Sequence, residues 1–144
     1  MILFCGIQAS GKTTFFKEKY FNTHIRISLD QLHTRNKERK FIDTCFAMQQ
    51  PFVVDNTNPT KEDRLKYISI AKANKFKVIG YYFHSQLSES IKRNSQRERK
   101  EKIPEIGIRG TFNKLEIPSF DEGFDELYYV TIENNQFIIK KWRE

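Results

Sequence analysis

The period of the apolar positions changes several times along the chain. Ile2-Leu3-Phe4-Cys5 is a short continuous apolar run, the pattern of a strand buried on both faces, and a glycine-containing turn follows it. Thr13 to Tyr20 reads as a helix. Ile25-Arg26-Ile27-Ser28 alternates as a short strand ending at Leu29-Asp30. The polar stretch from about Gln31 to Gln50 reads as one helix that stops before Pro51. Phe52-Val53-Val54-Asp55 is again too short for a helix and too apolar for a solvated edge.

From Thr60 the spacing turns helical. Thr60 is an N-cap with Asp63 three residues on, and Leu65, Ile68 and Ala71 recur at helical spacing. Val78 to Phe83 predicts a strand, and Leu87 to about Lys102 a charged helix limited by Pro104. A further helix is expected over Ile106 to Leu115. Leu127 to Ile132 and Gln136 to Lys140 flank Glu133-Asn134-Asn135 as the arms of a hairpin. Strands alternating with helices predict an α/β fold with a mainly parallel sheet, helices on both faces and a C-terminal antiparallel hairpin.

No repeat or Gly/Ser/Pro linker divides the chain, so residues 1–144 are expected to form a single domain, with none preceding the run that starts at Met1. Composition narrows the picture further. Thirteen phenylalanines supply a core despite a mean hydropathy of -0.65. No apolar stretch approaches the length needed to span a bilayer, and no secretory leader is visible. Two cysteines, Cys5 and Cys45, are too few for a disulfide framework or a four-cysteine zinc site, so a reducing cytoplasm is the expected setting. The formal charge of +7 suits an anionic partner without requiring one.

Gly6-Ile7-Gln8-Ala9-Ser10-Gly11-Lys12-Thr13 matches the pattern G-x-x-x-x-G-K-[ST] at every fixed position. Glycines let successive backbone N–H groups turn inward toward phosphate oxygens, and the helix that opens at Lys12-Thr13 adds its N-terminal dipole. Gly6, Ala9, Ser10, Gly11, Lys12, Thr13 and Thr14 are therefore the expected nucleotide cradle. Lys12 supplies charge to the outer phosphates, and the Thr13 hydroxyl is placed to hold Mg²⁺. Asp55, closing its strand, sits where a second acidic residue for Mg²⁺ belongs, although a strand-ending turn would also use it. With an apolar strand before it and a helix after it, the motif predicts a three-layer P-loop NTPase fold that binds ATP or GTP.

The loop does not fix the reaction. No Asn-Lys-x-Asp guanine-reading segment follows a later strand, which disfavours a GTPase, and the length is short for an AAA+ motor with a helical lid domain. A compact phosphotransferase remains. Transfer to a hydroxyl needs a carboxylate near the acceptor, and Asp30 lies on the sheet edge that carries the loop, with a cap for the next helix as the alternative use. Positive charge from outside the loop is offered by Lys92, Arg93, Arg97, Arg99, Lys100 and Lys102. On a helix Arg93 and Arg97 share a face, which could also be simply solvated.

Taken in order, these segments resemble the kinase domain of the 5′-hydroxyl polynucleotide kinases of phage and of animal DNA repair. The resemblance rests on the loop with Thr13-Thr14-Phe15, on Ile27-Ser28-Leu29-Asp30, and on Val53 to Pro59 followed by Arg64, Tyr67-Ile68 and Ala71. Arg93-Asn94-Ser95-Gln96-Arg97 resembles the family's lid, and Pro118 with Glu122-Gly123-Phe124 its ending. It implies ATP and Mg²⁺ as cofactors, nucleic acid 5′ ends as substrate, and Asp30 as the base that activates the hydroxyl. It also implies Arg97, helped by Arg93, as the neutraliser of the transferring phosphoryl. His33 stands where the phage enzyme has an acceptor-phosphate arginine, Arg35 lies two residues further, and Thr57 and Asn58 complete the implied acceptor side. The family's known members fuse this kinase to a phosphatase or a ligase, and neither is present in these 144 residues. A kinase for a small hydroxyl compound and a nucleotide-binding module without turnover are the alternative readings. Phe15, Phe16, Tyr20 and Phe21 are expected as core, as are Cys5, Phe112, Phe120 and Phe124.

Overall fold

Five parallel strands flanked by helices, with one antiparallel strand added at the end, make up the computed structural model, which describes residues 1–143. The strands are β1 (Ile2–Cys5), β2 (Ile25–Ile27), β3 (Phe52–Val54), β4 (Ile79–Phe83), β5 (Glu126–Glu133) and β6 (Gln136–Lys141), in the spatial order β2-β3-β1-β4-β5-β6. β1 and β3 are buried throughout, as expected for inner strands with helices on both faces.

Alternation along the strands divides the core in two. Ile2, Phe4, Val53, Phe83 and Val130 face α1 (Lys12–Lys19), which contributes Phe15 and Phe16. Leu3, Ile27, Phe52, Val54 and Leu127 face the other way. There they meet α3 (Arg35–Met48) through Ile42, Cys45 and Phe46, and α4 (Lys61–Ala73) through Tyr67, Ile68 and Ala71. The expected capping box of α4 forms: the Asp63 amide donates to Thr60 Oγ1, and the Asp63 carboxylate accepts from the Thr60 amide. The hairpin closes with a two-residue loop, Asn134-Asn135, both in the left-handed region, which matches the twist of the strands it joins.

Local chemistry moves several boundaries. The helix expected over 31–50 is two helices, α2 (Leu29–Leu32) and α3, because His33 takes a left-handed conformation and Thr34 caps a new helix by accepting from the Lys37 amide. β2 ends at Ile27, and Ser28 caps α2 by accepting from the Asp30 amide, so Asp30 lies in a helical first turn rather than at a strand end or at a cap. The charged helix stops early: α5 spans Leu87–Ser95. Asn94 brackets Ile103, donating to its carbonyl at 2.6 Å and accepting from its amide at 2.9 Å, which folds residues 96–102 back as a loop. Arg97 therefore leaves the helix and does not share a helical face with Arg93.

α6 spans Glu105–Lys114, and a 3₁₀ turn follows at Phe120–Glu122. On α4 the buried face is Arg64, Tyr67, Ile68 and Ala71, so Ile68 and Ala71 are buried as expected while Leu65 is exposed. Phe21 and Phe112 are exposed rather than core, Phe21 because α1 ends at Lys19 with Tyr20 as its C-cap and the chain turns there. No helix among the described residues is long and apolar enough to cross a membrane.

Candidate active site

Parallel strands present their C-terminal ends to one crevice, and here the ends of β1 and β3 and the residues just after β2 open into a cavity of about 370 Å³. The loop after β1 forms its floor. Gly6 is required by close approach: a Cβ there would meet the Phe83 carbonyl at 2.8 Å. Gly11 sits in the left-handed region, and a Cβ would meet Phe137 of β6 at 2.9 Å, so the hairpin is packed directly beneath the start of α1. Lys12 is buried. Its ammonium donates to the carbonyls of Gly6 at 3.0 Å and Ile7 at 2.7 Å, holding the loop in a cradle. Burial lowers its pKa from the ordinary lysine value to about 8, partly offset by Asp55. Asp30 and Arg97 are also close enough to bear on that charge.

Asp55, buried at the end of β3, accepts at Oδ2 from Thr13 Oγ1 at 2.9 Å. The pair fits a divalent cation such as Mg²⁺. Both are hard oxygen ligands at the cavity wall, and among the described residues no donor is bonded to Asp55 Oδ1. The rest of the segment after β3 is divided among separate tasks. Asn56 Oδ1 accepts from the Leu29 amide at 3.0 Å while its Nδ2 donates to Glu38 at 2.9 Å, which fixes the turn carrying Asp30. The Thr57 carbonyl accepts from the Gly6 amide, and Asn58 donates to the Phe4 carbonyl at 2.8 Å. Thr57 and Asn58 both line the cavity, but the Asn58 amide is already spent on the sheet.

Asp30 and Arg35 line the same cavity as the loop, and His33 does not. Arg35 donates to Glu38 at 3.1 Å and to the Tyr67 hydroxyl at 2.7 Å, and Tyr67 in turn donates to Glu38. Burial first, and then Glu38, push the Tyr67 hydroxyl above its ordinary pKa, so it remains a donor. Of the two arginines expected in a lid, Arg97 lines the cavity with only a 3.5 Å contact to the Glu101 carbonyl, and is the one left available. Arg93 donates to the Ala9 carbonyl at 2.7 Å and to the Ser85 hydroxyl, so it ties α5 to the phosphate loop.

Several residues carry this geometry without a sequence signal that isolates them. Arg26 on β2 pairs with Asp55. Glu38 is buried beneath Arg35, and Ser85 anchors Arg93. Arg64, fully buried, makes a two-point ion pair with Glu122 at 2.7 and 2.9 Å and donates to the carbonyls of Asn58 and Pro59. Two segments far apart in sequence thus meet to brace the loop after β3.

Comparison with known proteins places this geometry. Residues 1–115 match the family described as AAA domain. A bifunctional polynucleotide phosphatase/kinase of Schizosaccharomyces pombe is 28% identical over 130 residues, covering 86% of this chain and 31% of that protein. A mimivirus relative with a provisional description of the same kind is 25% identical over 152 residues, covering 99% of this chain and 36% of that one. The chain thus spans about a third of the length of these curated relatives. Among solved structures, a Sinorhizobium meliloti gluconokinase superposes with a TM-score of 0.61 at 19% identity, covering 90% of this chain and 81% of that one. Chaetomium thermophilum Kti12, solved with ADP-AlF3, gives 0.63 at 17% identity, covering 90% and 88%. At those identities the structures speak for the fold alone.

Proposed function

The chain belongs to the AAA-domain family of P-loop proteins, and from that premise we propose that it is an ATP-dependent kinase transferring the γ-phosphate to the 5′-hydroxyl end of DNA or RNA. The observation that carries the reading is the convergence of Asp30, Arg97 and Arg35 on the cavity floored by the phosphate loop. The polynucleotide phosphatase/kinase relatives support the choice of acceptor.

Backbone N–H groups of residues 6–13 and the Lys12 ammonium receive the β- and γ-phosphates, with Ala9, Ser10, Gly11 and Thr14 shaping the cradle. Thr13 and Asp55 would hold Mg²⁺, which when bound neutralises charge on the phosphates. Asp30 accepts the proton of the attacking hydroxyl. Arg97 moves from its weak contact in the 96–102 loop onto the transferring phosphoryl, and Arg93 holds the lid root against the loop. Arg35, positioned by Glu38 and Tyr67, takes the acceptor phosphate in place of His33, with Thr57 on the same wall.

The test is transfer of labelled γ-phosphate to oligonucleotides bearing either a 5′-hydroxyl or a 5′-phosphate, beside sugars and nucleosides as acceptors. Label is expected only on the 5′-hydroxyl strands, with an acceptor KM that rises steeply with salt as counterions compete for the phosphate contacts. Label on a small compound in preference to any oligonucleotide would replace the polynucleotide with a small-molecule acceptor. Tight ATP binding with no transfer to any acceptor would leave a nucleotide-binding module.

A further inference from the structure

Arg26 lies behind two residues of the cavity wall, Thr13 and Asp55, and the proposed reaction leaves it unused. It lies on the edge strand β2 between two isoleucines, in register with Val53, so its side chain points to the α1 side of the sheet. There its Nε donates to Asp55 Oδ2 at 2.8 Å and its second guanidinium nitrogen to Thr13 Oγ1 at 3.2 Å. Only 16% of the Arg26 side chain and 2% of the Asp55 side chain are exposed. One guanidinium therefore touches both residues assigned to the divalent cation, and it places a fixed positive charge beside a site meant for another.

A buried carboxylate without a counter-charge is costly, and pairing with an arginine removes much of that cost. The same pairing opposes a cation. Arg26 bonds to both Thr13 and Asp55 and balances the Asp55 charge, and the charge of a divalent ion is repelled at short range. The phosphates of a nucleotide, arriving on the loop side, supply the negative charge that tips this balance.

We propose that Arg26 is a resident counter-ion that couples cation loading to nucleotide binding. It positions Asp55, keeps the Thr13–Asp55 pair from taking up a divalent ion alone, and lets the ion in only with the phosphates. The proposal rests on the assignment of Thr13 and Asp55 to the cation and is independent of the acceptor.

Manganese is the probe, read by electron paramagnetic resonance as free against bound Mn²⁺, with and without ADP. Wild-type protein should bind Mn²⁺ weakly alone and much more tightly with ADP. Arg26→Gln, which keeps an N–H donor and removes the charge, should tighten nucleotide-free Mn²⁺ binding by at least about tenfold and so shrink the ADP effect. Arg26→Lys, which keeps the charge, should stay near wild type. A purely structural role would move both variants alike, which overturns the proposal, as does an unchanged or weakened nucleotide-free affinity in Arg26→Gln. Wild-type protein that binds no Mn²⁺ even with ADP would remove the cation assignment itself and the proposal with it. If Arg26→Gln does not fold, Arg26→Met keeps the aliphatic stem and gives the same reading. Transfer activity in wild type is scored separately, so failure here leaves the kinase reading standing.

Discussion

The two walls of the cavity are built differently. On the proposed donor wall the working groups are buried or half-buried and already bonded: Lys12 to the loop carbonyls, Thr13 and Asp55 to each other and to Arg26, and Arg93 to Ala9. On the proposed acceptor wall Asp30 and Arg35 are exposed, and Arg97 rests on one long contact to a carbonyl. Phosphates are the same in every nucleotide, so a preformed cradle serves them, since preorganisation lowers the cost of binding. The proposed hydroxyl acceptor would be met by exposed groups, of which Arg35 is already held by Glu38 and Tyr67. The contrast implies that donor binding and phosphoryl transfer can be damaged separately.

Lys12→Ala should give the largest effect, because it strikes the donor wall: kcat/KM for ATP falls by more than about a thousandfold. A variant within tenfold of wild type would mean that the loop is not the phosphate site. Arg97→Ala strikes the other wall and should lower kcat by about a hundred- to a thousandfold with little change in nucleotide affinity. Parallel losses in affinity and rate would place Arg97 on the donor side and blur the contrast.

Arg64→Met acts on neither wall directly. It leaves Glu122 buried without its partner and unbraces the loop after β3, so unfolding free energy should drop by about 3–5 kcal/mol, measured by urea denaturation. A change inside experimental scatter would show that the 55–59 segment is held by other bonds.

The smallest expected effect is on pH. Because the Lys12 pKa is lowered to about 8, the ammonium is present below that value and lost above it. ATP affinity should hold from pH 6 to 7.5 and weaken as pH rises through 8, by at most about tenfold per unit. Titration calorimetry in buffers of different ionisation heat should register proton uptake on binding above pH 8. A dissociation constant flat to pH 9.5 would deny Lys12 its role.

How much of this was legible in the sequence follows the same division. The P-loop, the Thr60–Asp63 cap and the turn of the C-terminal hairpin are local. Each depends on residues within a few positions; the cap forms at the expected residues, and the hairpin loop narrows from the expected Glu133-Asn134-Asn135 to Asn134-Asn135 because Glu133 pairs with Gln136. What escaped depends on contacts between distant segments. The break at His33 needed the Thr34 cap to win over helix continuation, and the early end of α5 came from Asn94 reaching Ile103. Arg26 looked like the polar position of an alternating strand, and only the approach of β2 and β3 to α1 gave it Thr13 and Asp55 as partners. Arg64 and Glu122 each belong to the segments that carry the family resemblance, but their pairing across 58 positions is a product of the fold.

The separation of the two walls is tested most directly at Asp30. In Asp30→Ala, nucleotide affinity measured by fluorescent ADP displacement should stay within about twofold of wild type, while transfer of labelled γ-phosphate to a 5′-hydroxyl oligonucleotide falls by about a thousandfold or more. Near-normal transfer in that variant would contradict the account, and so would an ADP affinity lost in step with the rate.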